Sequence, residues 1–242
     1  MKYMGSKNRI AKHLLPIMLE NRNGRTWVEP FVGGANMIDK VDGKRIGADF
    51  NEYLIEMWKE LQNGWTPPDF VSEEEWRDVK TKMENNYEKH YIAFVRLGCS
   101  FGADWNGGYA RNVRKDKPNS ELLNSTTKSY CGQSKRNIIK QLPNLQSVEF
   151  VNSSYQDLEI PPNSLIYCDP PYRGTTKYKD AFNHLEFWEW CRIKAKEGHL
   201  VYVSEYNAPK DFECLYSSEI NNTLNNTAKT TKATEKLFVY CG

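Results

Sequence analysis

No stretch of the chain approaches the roughly 18–20 consecutive apolar residues of a membrane span, and the N-terminal MKYMGSKNRI has no apolar signal-peptide core. Neither a membrane protein nor an exported one is expected, and a cytoplasmic setting is the simplest. Cysteine is sparse. The six residues (Cys99, Cys131, Cys168, Cys191, Cys214 and Cys241) are scattered and form no CxxC pair, which indicates neither a disulfide framework nor a zinc site. The four histidines are equally dispersed, so no metal is expected. GxGxxG is missing too, which weighs against a nicotinamide-dependent oxidoreductase. There is little excess of charge, +2 over 242 residues, and internal repeats are absent.

What is present suits a globular protein, with 39% hydrophobic and 26% charged residues. Strand-like runs occur at 26–31, 45–49, 148–151, 165–168, 199–204 and 237–241. Helical spacing lies between several of them. Leu54, Met57, Trp58 and Leu61 precede a stop at Gly64. Ser72 and Glu75 read as a capping box ahead of Trp76, Val79 and Met83. Tyr87, Tyr91, Phe94 and Val95 run to Gly98, and Asn183 with Glu186 caps a helix bearing Phe187, Trp190 and Cys191 up to Gly198. Strands alternating with helices imply an α/β fold with a mostly parallel, doubly wound sheet. Residues 66–142 interrupt the alternation and read as an insertion between 1–65 and 143–242. The run 221–234, rich in Asn and Thr, reads as a mobile loop or an edge hairpin.

Charge clusters inside the insertion. Arg111, Arg114, Lys115, Lys117, Lys128, Lys135, Arg136 and Lys140 face only Asp116 and Glu121. A solvated surface and a phosphate-facing patch both describe that segment.

Two stretches carry chemistry. In VEPFVGGANM, 28–37, a strand ends at Glu29-Pro30-Phe31, and Gly33-Gly34 permit a tight turn and close approach of a ligand to the main chain. Asp49 ends the next strand, where a carboxylate can accept hydrogen bonds from ribose hydroxyls. Two glycines and an acid also describe an ordinary turn. In LIYCDPPYRG, 165–174, a buried strand ends in Asp169-Pro170-Pro171-Tyr172. The prolines stiffen the chain and remove N–H donors, so a carboxylate and a backbone C=O stand together as acceptors. Two convergent acceptors suit an exocyclic amine with its two N–H groups, and Tyr172 offers a face on which a base stacks.

Asp169-Pro170-Pro171-Tyr172 matches the DPPY motif of amino-methyltransferases acting on adenine, and Glu29-Pro30-Phe31-Val32-Gly33-Gly34 resembles the cofactor loop of the Dam-type DNA adenine methyltransferases. Tyr3-Met4-Gly5-Ser6-Lys7, Gly47-Ala48-Asp49-Phe50-Asn51 and Asn152-Ser153-Ser154-Tyr155 resemble further elements of that family. Val203-Ser204-Glu205-Tyr206 and Glu235-Lys236-Leu237-Phe238 resemble its closing strands. The resemblance spans residues 2–240. It implies a Rossmann-like fold, S-adenosylmethionine as methyl donor and a flipped adenine of double-stranded DNA as acceptor. By carry-over, Tyr3, Lys7, Glu29, Pro30, Phe31, Gly33, Gly34, Asp49, Phe50, Ser154, Tyr155 and Asp169 line the cofactor site, and Asp169, Pro170, Pro171 and Tyr172 are catalytic.

The sequence departs from the family at Met4-Gly5-Ser6, at Ser204-Glu205-Tyr206 and in the middle of the chain. The recognition motif of GATC-modifying members is replaced there by FGADWNGGYARNVRK, 101–115. Trp105 and Tyr109 are expected to probe or replace an extruded base, with Arg111, Arg114 and Lys115 on phosphates. Core packing of the aromatics with solvated arginines is the plainer alternative. Other acceptors (cytosine N4, RNA adenine, protein glutamine) and an inactive DNA-binding module are competing functions. Asp169 weighs against cytosine N4 and glutamine, and the intact motifs weigh against an inactive module.

Overall fold

The computed structural model describes residues 1–111, 129–171, 182–221 and 232–242. Seven strands make one sheet: β1 (Trp27–Glu29), β2 (Arg45–Asp49), β3 (Val148–Asn152), β4 (Leu165–Cys168), β5 (Leu200–Glu205), β6 (Phe212–Asn221) and β7 (Lys232–Tyr240). Their order is β3-β2-β1-β4-β5-β7-β6. The first five run parallel, while β7 is antiparallel to both β5 and β6.

Alternation along the central strands explains why both faces are covered. Trp27, Leu165 and Tyr167 enter one core, which also takes Leu14, Met18, Leu54 and Trp58. Val28, Ile166 and Cys168 enter the other, with Phe187, Trp190, Val201 and Phe238. A side chain buried on each face is worth about 1.5–3 kcal/mol, so a sheet of this kind is stable only between two helical layers.

The helices are α1 (Ala11–Glu20), α2 (Glu52–Gln62), α3 (Glu73–Lys82), α4 (Lys89–Ala93, running on into a π turn over Phe94–Gly98), α5 (Tyr130–Gln141) and α6 (His184–Lys196). Their caps follow the sequence signals. Asn51 accepts from the Leu54 N–H, Ser72 from Glu75 and Asn183 from Glu186. At Ser72 only half of a capping box forms, because the Glu75 carboxylate accepts from the Tyr91 hydroxyl instead. The described parts of 66–142 do not form a core of their own. Val71, Trp76, Val79, Ile92, Phe94 and Ile138 pack into the same core as α2 and Trp27. The 221–234 run lies where β6 leads into β7, with 222–231 outside the described residues.

Candidate active site

The site forms at the carboxyl ends of β1, β2 and β4, where parallel strands leave a crevice for ligands. The loop after β1 is fastened from several directions. The Val32 N–H donates to the Ala48 carbonyl at 2.8 Å and the Gly33 N–H to Asp49 Oδ2 at 3.0 Å. Trp58 Nε1 of α2 donates to the Gly33 carbonyl at 3.1 Å, and Gln141 Nε2 of α5 to those of Gly34 and Ala35 at 3.1 and 2.7 Å. Gly33 has φ +47°, and a Cβ at Gly33 or Gly34 would fall 2.8 or 2.6 Å from Tyr3. The glycines thus leave room for the side chain of Tyr3, where the sequence pattern alone points to a ligand.

Asp49 holds two backbone donors, Gly33 on one oxygen and Asn51 on the other, each at 3.0 Å. Burial outweighs these bonds and raises its pKa. Each carboxylate oxygen keeps a second lone pair. Phe50 follows with its ring 82% exposed. The turn is fixed from β3, because Asn152 Nδ2 donates to the Asp49 and Phe50 carbonyls at 3.0 and 3.2 Å. Ser154 accepts from the Asp157 N–H and donates to its carboxylate, closing a local turn. Tyr155 and Phe31 pack at 5.5 Å in an aromatic cluster with Phe187 and Trp190, and burial pushes the Tyr155 pKa up to about 12.

Asp169 leaves β4 with its side chain 22% exposed, and Lys7 Nζ lies 2.9 Å from its Oδ1. Lys7 sits in a short 3₁₀ turn (Lys7–Arg9) with Ser6 as its cap. It is buried and also reaches the Gly5 carbonyl at 3.1 Å and Glu235 Oε2 at 3.7 Å. Burial alone would lower the Lys7 pKa, but the Asp169 and Glu235 carboxylates hold it above the ordinary lysine value. Glu29, on the same sheet face, accepts from Trp27 Nε1 at 2.8 Å, and burial raises its pKa to about 8. Burial therefore favours its protonated form. Pro170 is buried and Pro171 half-buried. Tyr172 lies outside the described residues.

The structure brings together Tyr3, Lys7, the 29–34 loop, Asp49, Phe50, Tyr155 and Asp169. Glu235, Glu205 and Tyr206 receive no role from the sequence, yet Glu235 joins the Lys7 cluster and the Tyr206 N–H donates to Glu205 Oε1 at 2.7 Å. The available signal is an acid on the inward period of a strand, with Glu235 two residues before buried Leu237.

Farther out, Trp105 packs 5.4 Å from Tyr53, and Arg96 stacks on its ring and donates to its carbonyl. Tyr109 donates its hydroxyl to the Val71 carbonyl at 2.8 Å. Arg111 forms a two-point ion pair with Glu73. Arg114 and Lys115 lie outside the described residues. In the same loop Phe101 is 62% exposed. Among the described residues no cluster of His, Cys, Asp and Glu could hold a metal, and no helix is long and apolar enough to cross a membrane.

The strand order, five parallel strands followed by an antiparallel pair, defines a mixed α/β fold of the Rossmann-like kind. A family model described as D12 class N6 adenine-specific DNA methyltransferase matches residues 3–132 and 117–237, and the chain belongs to that family. It is 22% identical over 209 residues to the Type II methyltransferase M.FokI of Planomicrobium okeanokoites, covering 80% of this chain and 32% of that protein. It is 24% identical over 221 residues to the Type II methyltransferase M.MjaIII of Methanocaldococcus jannaschii, covering 77% of this chain and 73% of that protein. The chain thus spans about a third of the length of the first relative. A putative methylase from Haemophilus influenzae is a distant structural likeness, with TM-score 0.40 and 10% identity over 97% of this chain and 89% of that one.

Proposed function

We propose that the protein transfers a methyl group from S-adenosylmethionine to N6 of an adenine turned out of double-stranded DNA. The observation that carries this reading is Asp169, held at the end of β4 by Lys7 and followed at once by two prolines. When bound, S-adenosylmethionine supplies a methyl group already activated on a sulfonium. The chain's own residues then have to position the acceptor. The Asp169 carboxylate and an adjacent main-chain carbonyl accept the two N–H groups of the amine, favouring a nitrogen lone pair localised for attack. Tyr172 would stack on the base. Asp49, with a lone pair left on each oxygen, and the exposed Phe50 ring suit the ribose and the base of a nucleoside cofactor. Tyr3, Lys7, Phe31 and Tyr155 form the walls behind them.

Residues 66–142 are proposed to deliver the DNA. With Trp105 and Tyr109 engaged in packing, they shape the loop that presents Phe101. The Arg111–Glu73 pair lies at the surface, where an ion pair is worth about 0–1 kcal/mol, so a phosphate can replace Glu73 as the partner. Lys135, Arg136 and Lys140 line a shallow groove on α5 together with Asp69, which pairs with Lys135, and Ile139.

The direct test is incubation of the protein with random-sequence duplex DNA and labelled cofactor, followed by identification of the modified base. N6-methyladenine at defined sites is expected. N4-methylcytosine or an unmodified library would refute the reading.

A further inference from the structure

We propose that Glu235 is a positioning residue for this reaction, acting through Lys7 to hold Asp169 ready for the target amine. The inference rests on the reading above that Asp169 receives that amine. Three segments far apart in the chain meet at one ammonium. Lys7 has three N–H donors, and around its Nζ stand the Gly5 carbonyl at 3.1 Å, Asp169 Oδ1 at 2.9 Å and Glu235 Oε2 at 3.7 Å. The Lys7 and Glu235 side chains are only 5% and 9% exposed, so the interaction is little screened by water.

The register explains how Glu235 arrives there. In β7, Leu237 pairs with Ser204 and Lys236 with Glu205. Glu235 therefore lies just past the carboxyl end of β5, level with the crevice and two residues from Leu237 on the same face. Tyr206, Tyr167 and the buried Glu29 carboxyl face this cluster, with Glu205 beside Tyr206.

Two carboxylates share one ammonium in a buried setting, and a buried ion pair is weak evidence for a role in stability alone. What the second carboxylate does is divide the ammonium. Lys7 lies between two carboxylates and counters the Asp169 charge only in part. Asp169 then keeps its acceptor capacity while its position stays fixed. Without Glu235 the ammonium, already 2.9 Å from Asp169 Oδ1, is left to that carboxylate alone and competes more strongly with the amine for its oxygen lone pairs.

The test uses the full chain with Glu235→Gln and Glu235→Asp. The first readout needs no turnover: the Lys7 ε-methylene is followed by NMR through a pH titration, with its signal assigned from Lys7→Arg. In Glu235→Gln the ammonium loses a neighbouring anion, and its midpoint is expected to move down by about one unit or more. The second readout is kcat against pH at saturating cofactor and DNA. In Glu235→Gln, kcat is expected to fall about 10- to 100-fold, as for misplacement of a reacting group. The alkaline limb should move to lower pH, cofactor affinity should change little, and Glu235→Asp should recover most of the rate. An unmoved Lys7 titration, an unchanged kcat, or a loss of rate that only follows the loss of folded protein would each overturn the proposal. If the wild-type chain methylates no adenine, the proposed function fails, while the Lys7 titration still decides whether Glu235 governs that ammonium.

Discussion

Asp169 is the residue on which the proposed chemistry depends, and Lys7 ties it to the fold. Asp169→Ala leaves Lys7 its contacts with Glu235 and Gly5. The protein is therefore expected to melt cooperatively while methyl transfer falls by about 10²–10³-fold or more. Near-wild-type transfer, measured with labelled cofactor beside a thermal melt, would remove Asp169 from the reaction. Gly34 makes a second prediction. A Cβ there would lie 2.6 Å from Tyr3, so Gly34→Ala must displace the N-terminal segment from the loop. A drop in cofactor affinity by calorimetry is expected, and an unchanged affinity would show that the Tyr3 contact is dispensable. Glu29 has a testable pH signature. Its folded pKa of about 8 exceeds the ordinary carboxyl value of 4.5, so the folded state holds its proton more tightly. That contribution to stability is complete below the ordinary value and is lost as pH rises through about 8. Glu29→Gln should therefore gain stability relative to wild type as pH rises from about 5 to about 8, in denaturant titrations. A parallel pH dependence in the two proteins would contradict a raised Glu29 pKa.

At the scale of elements, α2 links the core to the site. Asn51 caps it, Leu54, Met57 and Leu61 bury one face, and Trp58 both stacks on Phe150 and donates to the Gly33 carbonyl. Trp58→Ala should cost about 3–5 kcal/mol for the cavity. Trp58→Phe keeps most of the packing but removes the donor, so it should weaken cofactor binding more than stability. Equal losses of both would mean that the hydrogen bond does not shape the loop. The helices with polar caps and clean 3.6-residue spacing, α2, α3 and α6, were legible from sequence, as were six of the seven strands, although β7 begins five residues before the run at 237–241. Three elements were not. In α1 the breaker Pro16 sits inside the helix, which the packing of Leu14, Leu15 and Met18 sustains. In α5, Gly132 and the basic residues hid a face formed by Cys131, Ser134, Ile138 and Gln141. In β6, an exposed edge strand, polar residues interrupt the pattern, and pairing with β7 supplies what propensity does not.

On the scale of the whole molecule, the proposed DNA face runs from the 101–111 loop to α5. Charge reversal at Arg111, Lys135 and Arg136 should weaken binding to any DNA sequence. It should also reduce the slope of log affinity against log salt by about one for each phosphate that is no longer neutralised. A slope identical to wild type would return these side chains to a merely solvated surface. The described residues of 66–142 share a core with the sheet and α2, so such changes belong on exposed side chains, where they leave that core untouched.

The sequence by itself determined where strands end in chemistry: Glu29-Pro30-Phe31 before two glycines, Asp49, and Asp169 before two prolines. Those signals are local, because turn geometry and strand period act over a few neighbouring residues. The tertiary structure alone decided that Tyr3 fills the space left by Gly33 and Gly34, that Gln141 of α5 fastens the same loop, and that Lys7 stands between Asp169 and Glu235. Each joins residues far apart in the chain. Such pairings follow from strand order and register, which bring the ends of β4, β5 and β7 to one edge of the sheet.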